Sequence, residues 1–295
     1  MGTKEKMNKS SATDGKQPEP PKSDWQQLHE RNSIRCFWVG VIVLTLAILF
    51  GLLGWVFNWM EKTTDLLLTT GEFTIFGLTL ISVGLVYKRK AAKPMARSET
   101  SPLLEGEPFY IQEHEVMLKK AAGMVPSIHY FSVNGEKLLE LKETTHPLHV
   151  LSDLFDLRSF LKRSFAILDR QGEVRLLFTQ KAGLNSPIVV KLPSGETIAT
   201  YKQGMIKAEI SVFDTQDTLI GTTKSKDLIG SEFVINDAEQ NNLMTFINAG
   251  TPSRNRDSFT MSDDLLKLRV PLHEDKLRYM QFIALPAFIK IIFGK

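Results

Sequence analysis

The stretch that decides the fold is the last one, Lys276-Leu-Arg-Tyr-Met-Gln-Phe-Ile-Ala-Leu-Pro-Ala-Phe-Ile-Lys-Ile-Ile-Phe-Gly-Lys295. Between Tyr279 and Phe293 only Gln281 and Lys290 are strongly polar, so the segment lacks the wet face of a surface helix and has to be enclosed. Its apolar run is shorter than the roughly 20 residues a bilayer crossing needs, and Pro286 and Lys290 also count against a membrane helix. A buried core helix over 276–293 is the favoured reading, ahead of a third membrane segment and of a central strand.

What encloses it lies just upstream, where from about Phe109 short apolar runs alternate with turn residues. Five units share one plan: 129–141 around Asn134-Gly135, 165–178 around Asp169 to Gly172, 188–201 around Pro193 to Gly195, 208–221 around Asp214 to Asp217, and 233–246 around Asn236-Asp237. In each, a β-rich run meets a polar turn and a second run follows, the pattern of a β-hairpin. The last four turns recur about every 23 residues, which marks an internal repeat. A sixth, weaker unit runs from Ser258 to Val270 around Asp263-Asp264. Ten to twelve antiparallel strands in meander order expose two edges unless the sheet closes, and a closed sheet of that size is wider than its own side chains can fill. The expected fold is therefore mainly β, a closed antiparallel barrel of about 12 strands over residues 109–295 around the hydrophobic C-terminal helix. His146 to Arg163 breaks the pattern and fits either a short helix capped at Ser152 or a long loop.

Two blocks near the start have another character. Cys36 to Phe57 carries no charge, and Leu66 to Tyr87 carries only Glu72, placed where its carboxylate can snorkel. Both match a hydrocarbon core of roughly 30 Å, and the short link between them makes a two-helix transmembrane hairpin over 36–87. Trp38, Trp55, Trp59 and Tyr87 sit near the expected interfaces. Gly40, Ala47, Gly51 and Gly54 on the first helix, with Gly77 and Gly84 on the second, form a seam of small residues; glycine's ordinary frequency in membrane helices is the plainer account. Lysines and arginines precede the first helix and follow the second, while the loop has Lys62 alone, so the positive-inside rule puts both ends in the cytoplasm. The apolar run is too long and starts too late for a cleaved signal peptide.

Residues 1–35 read as a disordered tail and 88–108 as a basic, proline-bearing flexible linker. Within the linker, Glu99 to Leu104, with Glu99, Leu103 and Leu104 as its key positions, has the form of an acidic dileucine sorting signal, a short pattern that chance also supplies. The single cysteine, Cys36, excludes an intramolecular disulfide and fits a reducing compartment; it is either a lipid-facing thiol or a palmitoylation site. The net charge of +3 is small, and nucleic acid is not an expected partner.

The architecture gives a family likeness. A closed antiparallel barrel around a hydrophobic C-terminal helix resembles the tubby C-terminal-like superfamily, which includes tubby proteins, phospholipid scramblases and plant LURP-one-related proteins. The hairpin Ile210 to Thr222, the strand pair Asp257 to Val270 and the closing segment Asp275 to Phe293 carry the resemblance, which is nearer to the scramblase and LURP-one branch than to tubby. The cysteine-rich stretches and calcium-binding acidic loop of scramblases have no counterpart here. The resemblance implies a cytoplasmic binding module, since such families include phosphoinositide binders, with scramblase-like lipid translocation as the alternative.

Signatures of catalysis are missing from the sequence. His146 and His149 stand three apart, and Glu113 and Glu115 flank His114, but neither group has the further ligands a metal site needs. No nucleophile elbow, phosphate loop or zinc-protease motif occurs. Asp169, Asp214 and Asp237 fall in hairpin turns, where local hydrogen bonding explains them. The expectation is a non-enzymatic, membrane-anchored module without cofactor or metal, whose partners are membrane lipids or a protein. Lys88, Arg89, Lys90, Lys119, Lys120, Lys162, Arg163, Lys202, Lys224 and Lys226 are the candidate contacts to anionic lipid, with Lys207 a further basic position; scattered solubilising charge is the competing account.

Overall fold

The computed structural model describes residues 22–57, 63–93, 109–122, 125–144, 161–183, 185–204, 209–227, 230–253, 259, 263–269 and 272–293. Two helices lead, α1 (Asp24–Phe57) and α2 (Thr63–Ala91). Twelve strands follow: β1 (Glu115–Lys120), β2 (Ser127–Ser132), β3 (Lys137–Glu143), β4 (Arg163–Leu168), β5 (Val174–Gln180), β6 (Ile188–Lys191), β7 (Thr197–Gln203), β8 (Glu209–Phe213), β9 (Leu219–Ser225), β10 (Glu232–Asp237), β11 (Asn242–Ile247) and β12 (Asp264–Leu268). Each pairs antiparallel with the next, and β12 pairs with β1 from Glu115↔Lys267 to Leu118↔Asp264, closing the barrel. Among the described residues, closure leaves no strand edge open to another chain.

The five hairpins expected from the sequence are β2–β3, β4–β5, β6–β7, β8–β9 and β10–β11, and all turn in the same way. A left-handed residue closes each turn, Gly135, Gly172 and Gly195 in the first three and Asp217 and Gln240 in the last two. Ser132, Asp169, Asp214 and Asp237 accept backbone N–H groups within their own turns at 2.7–3.1 Å, the local role that short polar side chains play there. The sixth unit differs from expectation. Residues 264–268 form one strand, β12, and its second partner is β1, a run that precedes the first hairpin. The segment 145–160, with His146, His149 and the helix-or-loop alternative, lies outside the described residues, as do Glu99, Leu103, Leu104 and Lys207.

The C-terminal segment fills the barrel, as two helices instead of one: α3 (Lys276–Phe282) and α4 (Leu285–Ile292). Pro286 is the cause. It has no N–H to donate, and its ring collides with the carbonyl four residues back, that of Phe282. The break strips carbonyls of their helical partners inside an apolar core, a costly arrangement unless other donors replace them. The barrel wall supplies these: Tyr201 Oη donates to Gln281 O at 2.8 Å and Tyr130 Oη to Ile283 O at 2.9 Å. Gln281 itself donates Nε2 to Ile198 O at 2.9 Å, and Lys290 pairs with Asp264 at 2.9 Å, so both polar residues of the tail have partners. Phe288 meets Phe165, Phe178 and Tyr201 edge-on with ring centroids 5.1–5.8 Å apart.

Helices α1 and α2 are each long and apolar enough to cross a membrane. They pack along the seam of small residues: a Cβ added at Gly40 would lie 2.8 Å from Gly77 O, and one at Gly84 3.1 Å from Ser33 O. Large apolar side chains, including Trp38, Ile42, Leu49, Trp55, Phe73 and Phe76, face outward around the hairpin, and Glu72 is exposed among them. The expectation of disorder to residue 35 is corrected by α1, which is helical from Asp24. Its start is fixed by a capping box, in which Gln26 N donates to Ser23 Oγ at 3.3 Å and Ser23 N to Gln26 Oε1 at 2.9 Å.

Where α3 meets the wall, Gly221 on β9 leaves room for the ring of Phe282; an added Cβ would lie 2.5 Å from that ring and 2.5 Å from Asn236 O. Gly221→Val should therefore destabilise the barrel by about 1–3 kcal/mol. The expected readout is a fall of several degrees in the thermal unfolding midpoint of the full chain in detergent; an unchanged midpoint would show that the wall yields.

Candidate functional site

The first turns of α1 do not hang free beside the barrel. Trp25, Leu28, His29 and Asn32, spaced along one helical face, are buried against the outer side of the barrel wall. There Trp25 and Leu28 pack with Met117 and Ala121 from β1 and beyond, Phe131 from β2, Leu265 from β12, and Phe259. Trp25 meets Phe131 and Phe259 edge-on at 5.1 and 4.7 Å between ring centroids. Backbone groups fix the register: Trp25 N donates to Gly135 O at 2.9 Å, Lys137 N to Asp24 Oδ2 at 3.0 Å, Ala122 N to Asn32 Oδ1 at 3.2 Å and Arg35 Nη1 to Ala122 O at 2.7 Å. Behind this contact lies a polar cluster. Lys119, 5% exposed, is paired with the fully enclosed Asp263 and lies over the rings of Trp25 and Tyr87 at 5.7 and 5.9 Å.

Beside the docked helix, α1, Leu80 of α2, the turn after β1 and strands β2 and β3 line a cleft of about 810 Å³. That size falls within the roughly 300–1,000 Å³ of small-molecule sites. Its walls change character along α1. Asp24 and Lys137 line the part nearest the turn between β2 and β3. Glu140 and Lys142 follow along β3, and Arg31 along α1, toward the start of β2, where Lys142 pairs with Ser127 and Arg35 reaches Ala122 O; Cys36, Val39 and Leu80 line the part where the apolar run of the hairpin begins. Four cations thus face two carboxylates. Both carboxylates are engaged, Asp24 by Lys137 N, and Glu140 by Ser127 Oγ at 3.0 Å and Lys137 Nζ at 3.4 Å. Among the described residues, no carboxylate lies within ion-pair reach of Arg31 or Lys142. The surplus is positive, and it sits next to an apolar wall.

His129 lies on the floor of the cleft, with Nε2 3.2 Å from Ser127 Oγ and 3.9 Å from Glu140 Oε1. Burial, reinforced by Lys137 and Arg31 and opposed by Glu140, lowers its pKa to about 4. Serine, histidine and glutamate are together here, but hydroxyl and carboxylate face the same ring nitrogen. An acyl-transfer triad needs the acid on the opposite nitrogen from the nucleophile, where it can orient the ring.

The lysines and arginines named from the sequence do not gather into one surface, although Lys90 and Lys119 both reach the ring of Tyr87 at 5.9 Å. Lys119 is buried in its ion pair. Arg163 on β4 holds Glu143 through two bonds of 3.0 and 2.9 Å and covers the ring of Phe165. Lys202 pairs with Asp217 at 2.7 Å over Phe213, and Lys226 with Glu232 at 2.5 Å. Lys120, Lys162 and Lys224 are exposed, and Lys88, Arg89 and Lys90 lie at the end of α2. Lys202 on β7 and Lys224 on β9 have one strand between them, but β1 and β4 lie elsewhere around the ring of twelve strands, so the set as a whole does not form one surface. The residues that do converge, Arg31, Arg35, Lys137 and Lys142, were missed as a group because two belong to a polar stretch with no apolar stripe and two to a hairpin. The available signal was the capping box at Ser23 and Gln26, which starts a helix and sets Arg31 and Arg35 one turn apart.

Trp25→Ala removes the largest side chain of the contact, at a cost of about 3–5 kcal/mol. Amide exchange at Trp25 and Ala122 is expected to accelerate strongly while the inward-facing strands stay protected; unchanged exchange at those two amides would contradict the docking.

No family model matches the chain, and no curated protein matches it. Among solved structures, the X-ray structure of a protein from Arabidopsis thaliana is similar at a TM-score of 0.40 and 12% identity, covering 63% of this chain and 96% of that one.

Proposed function

We infer that this protein is a membrane-anchored, non-enzymatic module in which the barrel is held against the bilayer by α1 and the cleft beside α1 takes the anionic headgroup of a lipid from the same leaflet. The observation that carries this reading is the cleft itself, lined along its length by Lys137, Arg31, Lys142 and Arg35, with Cys36, Val39 and Leu80 adjoining Arg35 where the apolar run begins. An anionic phospholipid has that polarity: a phosphate at the level of the arginines, with acyl chains beside the apolar helices. The basic residues flanking the hairpin support a two-pass topology with both ends in the cytoplasm. The position of Ser127 and Glu140 on one nitrogen of His129 supports binding over acyl transfer. Kinship with the tubby-like superfamily, in its scramblase and LURP-one branch, is a proposal that rests on the twelve-strand barrel around an apolar C-terminal segment. Lipid translocation is less well supported, because Gly40 closes on Gly77 along the helix seam and Glu72 lies on the outer face instead of in a polar groove between the helices.

A basic residue close to an anionic surface contributes about 1 kcal/mol. Reversing Arg31 and Lys142 together, as Arg31→Glu with Lys142→Glu, should therefore lower the preference for an anionic lipid by about tenfold or more. The check is spin-labelled phosphatidylglycerol against spin-labelled phosphatidylcholine on the reconstituted full chain. The wild type should retain the former selectively and the double variant should not; equal retention of both lipids by the wild type would overturn the reading.

A further inference from the structure

We propose that capture of an anionic phosphodiester headgroup in the cleft is coupled to uptake of a proton by His129, so that acid strengthens the hold on the lipid. This rests on the lipid-binding reading of the cleft and specifies how that site is regulated. The argument begins with position. Register pairs Lys119 with His129 and His129 with Glu140, so the imidazole is the middle of a row across the outer face of β1, β2 and β3, directly beneath α1. Its side chain is 13% exposed and lines the cleft, stacked on Phe131 with ring centroids 5.9 Å apart.

The charged groups around it come from each packed element. Helix α1 presents Asp24, Arg31 and Arg35; β3 presents Lys137, Glu140 and Lys142; β1 presents Lys119, already tied to Asp263. Without a bound anion, burial above all keeps the imidazole neutral, opposed by Glu140 and aided by Lys137 and Arg31. Burial raises the Glu140 pKa, but the charge on a protonated His129 and the contacts from Ser127 and Lys137 bring it below the ordinary carboxylate value. A phosphodiester between Arg31 and Lys142 adds a negative charge where the field is most positive. It offsets the cations that hold the proton off His129, and the imidazolium becomes a further donor facing it.

Linkage fixes the sign. A ligand that raises the pKa of a group binds more tightly to the protonated form, so affinity rises as pH falls toward the bound-state value. If the bound imidazole regained its ordinary pKa near 6.5, starting from about 4, affinity would rise by up to about 30-fold between pH 7.5 and pH 5. A phosphodiester does not itself titrate in that range, so phosphatidylglycerol is a suitable probe.

The experiment measures retention of spin-labelled phosphatidylglycerol relative to phosphatidylcholine by the full chain in nanodiscs at pH 7.5 and pH 5, for the wild type and for His129→Gln. The expected result is a selectivity that climbs at pH 5 in the wild type and stays flat between the two pH values in His129→Gln, whatever its level there. Selective binding of equal strength at both pH values in the wild type would overturn the coupling and leave the lipid site standing. Acid enhancement that survives in His129→Gln would also overturn it, by assigning the proton elsewhere. No selectivity at either pH would overturn the lipid reading and the coupling together. Should His129→Gln fail to fold, NMR titration of the wild-type imidazole decides the matter: its pKa must be higher in phosphatidylglycerol than in phosphatidylcholine nanodiscs, and equal values would refute the proposal.

Discussion

The structure depends on the enclosure of an apolar chain segment inside a ring of strands. Twelve antiparallel strands make a barrel whose lumen their own side chains cannot fill, and the two short C-terminal helices supply the missing volume. Neither part is stable without the other, since an empty lumen would forfeit close packing and a free segment would expose Phe282, Ile283, Phe288 and Ile289 to water. Pro286 complicates the fit by splitting the plug, and the tyrosines of the wall answer it. Tyr130 and Tyr201 turn carbonyls that the break would leave unpaired into anchors. The same hydrogen bonds fix how far the plug enters and how it is rotated, which apolar packing alone specifies less sharply.

A second enclosure, on the outside of the wall, gives the molecule its orientation. Because α1 is continuous from Asp24 to Phe57, the helix that docks on β1, β2 and β12 is the same one that carries the apolar run. No hinge separates the barrel from that run along α1, so the barrel is held at a set distance and rotation relative to the hairpin. The contact is part apolar, through Trp25 and Phe131, and part polar, through Asn32, Arg35 and the Lys119–Asp263 pair. The cleft is a consequence of this docking: α1 supplies one wall and the strands the other, and neither contains a site alone.

The five hairpins were legible because their information is local. Each turn carries its own acceptor and its own left-handed residue within a few positions, so a single pass along the chain finds them. The need to bury 276–293 was equally plain from its composition, as were the two apolar helices and the seam in which Gly40 meets Gly77. The site was much less so. Arg31, Arg35, Lys137 and Lys142 look like ordinary solvent-facing charge until the helix is laid on the wall, and Lys119, which reads as one more surface lysine, is buried in an ion pair.

The sequence by itself determined the repeating hairpins, the apolar pair of helices and the need for an interior to receive the tail, because alternation, turn chemistry and length act over neighbouring residues. The tertiary structure decided what joins across long separations: β1 with β12 to close the ring, α1 with the outer wall, and the tail with tyrosines from β2 and β7. The physical reason is that charge and hydrogen-bond partners are chosen by proximity in space. Strand order around a closed barrel sets Lys202 and Lys224 apart from Lys119, whereas a docked helix brings Arg31 beside Lys142.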